Sequence, residues 1–180
     1  MSMEHKAFVF DYDAFVDELG NILENALLTN NHERLASFIK QNLNFLKDPY
    51  EGEALSTSWE TMVEPKDPHQ YGDFALTKFY DPQDDIGLGA MWEWENIQKI
   101  LKRECGKDFV ILGTPFGSKD NYFNPGKMGS YFQSKNQVQG NLQLLTEILY
   151  RKSDICGELN EAFKMIQKAA EAEKGLYITF

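Results

Sequence analysis

Apolar residues recur along this chain mostly at the three-and-four spacing of helices that bury one face. From Asp13 onward, Phe15, Leu19, Ile22, Leu23, Ala26 and Leu27 fall on one side of a helix. Asn30 with Glu33 three residues on has the form of a capping box. The helix it would open places Leu35, Phe38, Ile39, Leu43 and Leu46 on one face before Pro49 closes it. Joined by 29–31, these two helices should form an antiparallel pair. A third is predicted from Met91, with Trp94, Ile97, Ile100 and Leu101 facing one way, ending near Gly106. A fourth runs through Val138, Leu142, Leu145, Ile148 and Leu149, and a fifth from Ile155 through Leu159, Phe163 and Ile166 to Ala170. Thr57 and Glu60 suggest a short capped turn around Trp59 and Val63.

Strand signals are shorter. Phe109–Leu112, bounded by Asp108 and Gly113, is the clearest. Ala7–Phe10 reads as a strand or a first helical turn, and Leu176–Phe180 as a strand after Gly175. Residues 73–80 alternate weakly through Phe74, Leu76 and Phe79, after breaks expected at Pro65, Pro68 and Gly72. Residues 81–90 and the glycine- and proline-rich 113–129 read as loops, the second long enough to suggest a role. The strands do not alternate with helices as in a doubly wound sheet. The expected fold is therefore α+β, about five helices packed with a small sheet of about four short strands. At 180 residues, one domain over 1–180 is expected.

Charge changes the picture more than composition does. Up to Gln98, 19 acidic residues face 6 basic ones, a net of −13; from Lys99, 9 face 12, a net of +3. Three stretches, 7–33, 48–65 and 79–98, carry acids with no Lys or Arg at all. The first holds Asp11, Asp13, Asp17, Glu18, Glu24 and Glu33; the last holds Asp81, Asp84, Asp85, Glu93 and Glu95. Phosphate backbones demand the opposite sign, so nucleic acid is not an expected partner. No apolar run approaches the roughly 18–20 residues of a membrane-spanning helix, so no membrane association is expected. The first ten residues lack the pattern of a secretory leader, and Cys105 and Cys156 fit no Cys-x-x-Cys motif. Two thiols in a cytoplasmic protein are the reading that follows.

The sharpest local motif is Phe8-Val9-Phe10-Asp11-Tyr12-Asp13. It resembles motif I of the haloacid-dehalogenase phosphatases, an apolar strand ending in Asp-x-Asp. The resemblance implies a nucleophilic Asp11 and a general acid at Asp13, a pair suited to attacking phosphorus and protonating the leaving oxygen. Phe109–Thr114 is similar to that family's second motif. The departures are that Ala14 and Phe15 stand where Gly and Thr belong, and that the Asp84-Asp85 pair precedes the second motif. Asp81-x-Gln83-x-Asp85-x-Gly87 has the alternate oxygen spacing of a calcium loop, but Ile86 and Trp92 occupy the positions needing Gly and Glu. Gly126-Lys127 lacks the rest of a P-loop. His5, His32 and His69 have no ligand spacing and read as exposed polar residues.

With no complete catalytic motif, no cofactor is expected and the charge profile leads. The expectation is a non-enzymatic protein-binding protein whose acidic N-terminal half docks a basic macromolecule through electrostatic steering. In size and charge the chain resembles the immunity proteins that neutralise bacterial nuclease toxins. Docking residues would come from Asp81, Asp84, Asp85, Glu93 and Glu95, with Trp92 and Trp94 as anchors. The alternatives are a metal-dependent phosphatase or hydrolase using Asp11 and Asp13, and a structural or regulatory oligomer.

Overall fold

The computed structural model describes residues 5–63, 66–89, 91–105 and 110–179; the side chains at 91, 92 and 156 also lie outside that description. Lys6–Phe10 is a strand, β1. Asp11 ends it and caps the helix that follows, its carboxylate accepting the Ala14 N–H at 3.3 Å. That helical run comprises α1 (Tyr12–Phe15), a π-helical turn (Val16–Gly20) and α2 (Asn21–Thr29). Asn30, in the left-handed region at φ 52°, terminates α2 instead of opening the next helix. Asn31 Oδ1 takes the Glu33 N–H at 2.8 Å where the chain turns into α3 (Glu33–Asn42). The helical pair expected from periodicity is present.

Residues 73–80 depart from the expectation. Pro68–Leu76 is a helix, α4, with Asp67 as its N-cap and Pro68 in its first turn, where a missing N–H costs nothing. Gly72 sits mid-helix because a Cβ there would lie 2.7 Å from the Phe123 ring and 2.8 Å from Leu23. The breakers read in sequence are thus a helix start and a close packing point. β2 (Ile86–Gly87) is a short strand within the 81–90 loop, and α5 (Met91–Cys105) follows as expected.

The 109–112 strand is not present: Phe109 is outside the described residues, Val110 is exposed, and 111–112 form a bend. Ile111 is a buried plug whose backbone is satisfied by side chains. Its N–H donates to Gln98 Oε1 at 3.1 Å, and its carbonyl accepts from Gln133 Nε2 at 2.7 Å. Gly113 then turns at φ 96°. The 113–129 segment contains a hairpin, β3 (Gly117–Ser118) with β4 (Asn121–Tyr122). Ser130–Gln133, unforeseen in sequence, is β5. α6 (Lys135–Arg151) opens with a full capping box from Ser134 and Gln137; α7 (Cys156–Glu171) and β6 (Gly175–Thr179) complete the chain.

The main sheet has order β2-β1-β6-β5, antiparallel throughout. Alternation along each strand divides its side chains between two cores. Phe8, Phe10, Phe132 and Tyr177 join the core under α1–α4, whereas Ala7, Leu176 and Ile178 join the one under α5–α7. The result is one compact α+β domain, a sheet layered between the N-terminal and C-terminal helices. On the N-terminal side, ring centroids lie 5.4 Å apart for Phe10–Phe15 and Phe15–Phe132, and 4.9 Å for Phe132–Tyr177. Each such pair adds about 0.5–1.5 kcal/mol beyond its buried area.

Candidate functional site

Helix α4 is enclosed on nearly every side, since residues 71–77 are all buried. Such a helix is expected to be apolar all round. Asp73 is the exception, 6% exposed with its carboxyl inside the protein. It borders a cavity of about 240 Å³ at the end of the sheet where Lys6 and Ser130 flank Thr179 across the ladder. Strands supply Lys6, Phe8 and Thr179 to the lining; Tyr80 stands beside Asp73; Pro49, Tyr50 and Pro125 form the rim. The rings of Phe8 and Tyr80 are 4.5 Å apart.

Burial pushes the Asp73 carboxyl from 3.8 up to about 7; the nearby Tyr50 hydroxyl draws it down and the Asp48 carboxylate adds to the rise. Tyr50 also reaches Gln70 Oε1 at 3.5 Å. Asp48, equally buried, folds the rim loop by accepting the N–H groups of Tyr50 at 2.7 Å and Glu51 at 3.1 Å. Burial raises the phenols of Tyr80 and Tyr177 well above their ordinary value, with Asp73 contributing to both. These groups therefore remain hydrogen-bond donors at any physiological pH. Tyr177 and Ser130 are almost completely buried, and the Tyr177 hydroxyl interacts with the neighbouring Thr179 and Ser130 hydroxyls, which draw its pKa back down. No ion pair among the described residues involves Asp73. The cavity thus offers a carboxyl that is half-ionised near neutrality, aromatic walls and the Thr179 hydroxyl on its lining.

The residues singled out in sequence are distributed differently. Asp11, Asp81 and Asp84 meet in a groove of about 460 Å³ that also holds Glu18, Lys78 and Lys174. Each carboxylate there has a cation of its own. Asp11 pairs with Lys174 at 3.3 Å, Asp81 with Lys47 at 2.8 Å, Asp84 with Lys168 at 2.7 Å, and Glu18 with Lys78. Asp85 lies 3.9 Å from Lys6. Lys47 holds the Asp81 carboxyl below its usual range. The 81–85 loop, expected to be a field-generating surface, is locally neutralised by lysines from both halves of the chain.

Asp11 is committed to a helix cap and an ion pair, and Asp13 is exposed in the first helical turn. Their strand is antiparallel to both neighbours, unlike the parallel sheets whose strand ends ordinarily form phosphate and nucleotide sites. Among the described residues no group of three or more His, Cys, Asp or Glu side chains could hold a metal ion. Trp94 is 2% exposed and donates its indole N–H to the Leu88 carbonyl at 2.6 Å. It is a core residue that reaches the surface only at the edge of a groove it shares with Glu93. The Trp92 side chain lies outside the described residues. Glu93 lines a second groove, of about 260 Å³, with Glu158 and Glu161 of α7, and Glu95 is exposed.

Histidines were expected on the surface, yet His5 is buried with Nδ1 3.1 Å from the Gly89 carbonyl, and burial lowers its pKa. His69 accepts the Asn124 N–H at 3.0 Å, and His32 packs on Tyr71. Cys105 is half-buried; the Cys156 side chain lies outside the described residues. Among the described residues no helix is long and apolar enough to cross a membrane. Asp73 was missed because nothing in its neighbourhood forms a motif; the one usable signal is an acid inside an otherwise apolar run, Tyr71 to Leu76. Comparison with protein-family models, curated proteins and solved structures finds no match.

Proposed function

We propose that the protein is a non-enzymatic binding protein whose acidic N-terminal half docks a basic macromolecular partner. The observation that carries this reading is the outer side of the 12–29 helical run. Asp13, Asp17 and Glu24 are exposed there, and no ion pair among the described residues reaches them. Glu51 and Glu53 on the cavity's rim loop are exposed and similarly unmatched. These charges, unlike those of the 81–85 loop, remain available to steer a cation-rich surface. A basic protein is the partner class, and a toxin of the kind neutralised by acidic immunity proteins belongs to it.

The test reverses Asp13, Asp17 and Glu24 to Lys together. Exposed charges change stability by less than about 1 kcal/mol each, whereas loss of steering slows association roughly tenfold to a thousandfold at low salt. Basic proteins retained from a lysate supply the partner, and stopped-flow association at two ionic strengths supplies the readout. The difference between wild type and variant should shrink as salt rises, because screening already weakens the wild-type attraction. An unchanged low-salt rate would reduce these acids to a solubilising coat.

A further inference from the structure

We infer that the cavity beside Asp73 is a binding site for an alkylammonium or guanidinium group, with the Asp73 carboxylate as counter-ion and the Phe8 and Tyr80 rings as walls. The carboxyl is 6% exposed and borders a space of about 240 Å³ without an ion-pair partner among the described residues. The Tyr50 hydroxyl donates to it, but a buried carboxylate without an opposite charge is still costly, and a cation entering the cavity lowers that cost. Aromatic faces attract the same ligand through their quadrupoles, most strongly where water is excluded. The volume lies below the roughly 300–1,000 Å³ of pockets that take drug-sized molecules. It suits one charged group with a short alkyl stem.

The surroundings add to the selectivity. Asp48, a second buried carboxylate, reinforces the negative potential at Asp73. Lys6 also lines the cavity, and its ammonium lies 3.9 Å from the Asp85 carboxylate. Thr179 offers a hydroxyl on the lining, and the Ser130 and Tyr177 hydroxyls that interact around it lie on the same face of the sheet. Among the described residues a single carboxylate lines the space, which favours an organic cation over a divalent metal needing several oxygen ligands. This site does not rest on the docking reading, and reversing Asp13, Asp17 and Glu24 should leave it intact.

The experiment titrates the full chain with butylammonium and with argininamide, using 1-butanol and citrullinamide as neutral counterparts, followed by calorimetry and amide NMR. The cations should bind at least tenfold more tightly than their counterparts, shifting the amide signals of Asp73, Tyr80 and Thr179. Asp73→Asn should lower cation affinity at least tenfold, and Tyr80→Leu several-fold, with circular dichroism reporting whether each variant is folded. A Gly-Ser peptide bearing one central Arg separates the sources. Binding of the peptide points to a protein side chain, and binding of the free amines alone points to a small metabolite. Equal affinity for butylammonium and 1-butanol would overturn the assignment, as would undiminished cation binding in folded Asp73→Asn. The wild-type NMR comparison decides the matter even if the variants fail to fold.

Discussion

Replacing Asp73 by Asn tests the description of the buried carboxyl directly, through the pH dependence of stability. In the unfolded chain this group titrates near 3.8, and in the folded protein near 7 because burial disfavours its charge. An acid whose folded pKa is raised withdraws stability as pH rises. The loss begins above 3.8, grows by about 1.4 kcal/mol per pH unit, and levels off above about 7 at roughly 4 kcal/mol. Asn is nearly isosteric and does not titrate. The stability of Asp73→Asn relative to wild type should therefore rise by about 2.5 kcal/mol between pH 5 and pH 8. Other carboxylates, such as Asp81, whose pKa is lowered by Lys47, add opposing slopes that are common to both proteins and cancel in the difference. Urea unfolding of both proteins at four pH values in this range gives the comparison. Parallel stability curves, differing by a constant within about 0.5 kcal/mol, would show that Asp73 titrates normally and would refute the argument.

Trp94→Phe removes the indole N–H held by the Leu88 carbonyl and leaves a void, and should cost about 2–4 kcal/mol in urea unfolding; a loss below 1 kcal/mol would return Trp94 to the surface. Gly72→Ala should destabilise by about 1–2 kcal/mol although Ala is the better helix former, because its methyl would overlap Phe123 and Leu23; a rise in melting temperature would contradict that packing. Asp11→Ala should lose about 1 kcal/mol with its cap. Magnesium-dependent phosphate release abolished by the same substitution would instead make Asp11 a reacting group.

Helices were legible where period and length agreed, as in the runs around Leu23, Phe38, Leu145 and Ile166, because burying one face is a local property. The errors came where tertiary contacts supply what the local sequence lacks. α4 was hidden by Pro68 and Gly72, whose helical use depends on an Asp67 cap and on the approach of Phe123. Ile111 looked like a strand residue, but its hydrogen bonds go to Gln98 and Gln133 side chains distant in sequence. β5 was invisible because Ser130 and Gln133 are polar; both are buried, and Gln133 is satisfied by Ile111 and by Asn141 at 2.7 Å. The pairing of the acidic residues was hidden for the same reason. Charge counting saw acids without nearby bases in sequence, whereas folding brings Lys168 and Lys174 to Asp84 and Asp11.

The position of β6 between β1 and β5 has a consequence for how the protein is made. Apart from its short pairing with β2, β1 has no strand to join until Gly175–Thr179 has been synthesised, and β5 likewise has no sheet to join until β6 arrives. The chain through Thr179 must leave the ribosome before the central ladder can form, and contacts so distant in sequence make for slow folding. Meanwhile Phe10 and Phe15 wait for Phe132 and Tyr177, and apolar surface left uncovered invites nascent chains to associate. The half that waits longest is also the half with a net charge of −13. Mutual repulsion at that density keeps waiting chains apart. The acidic excess thus acts before there is a folded surface for any partner to meet.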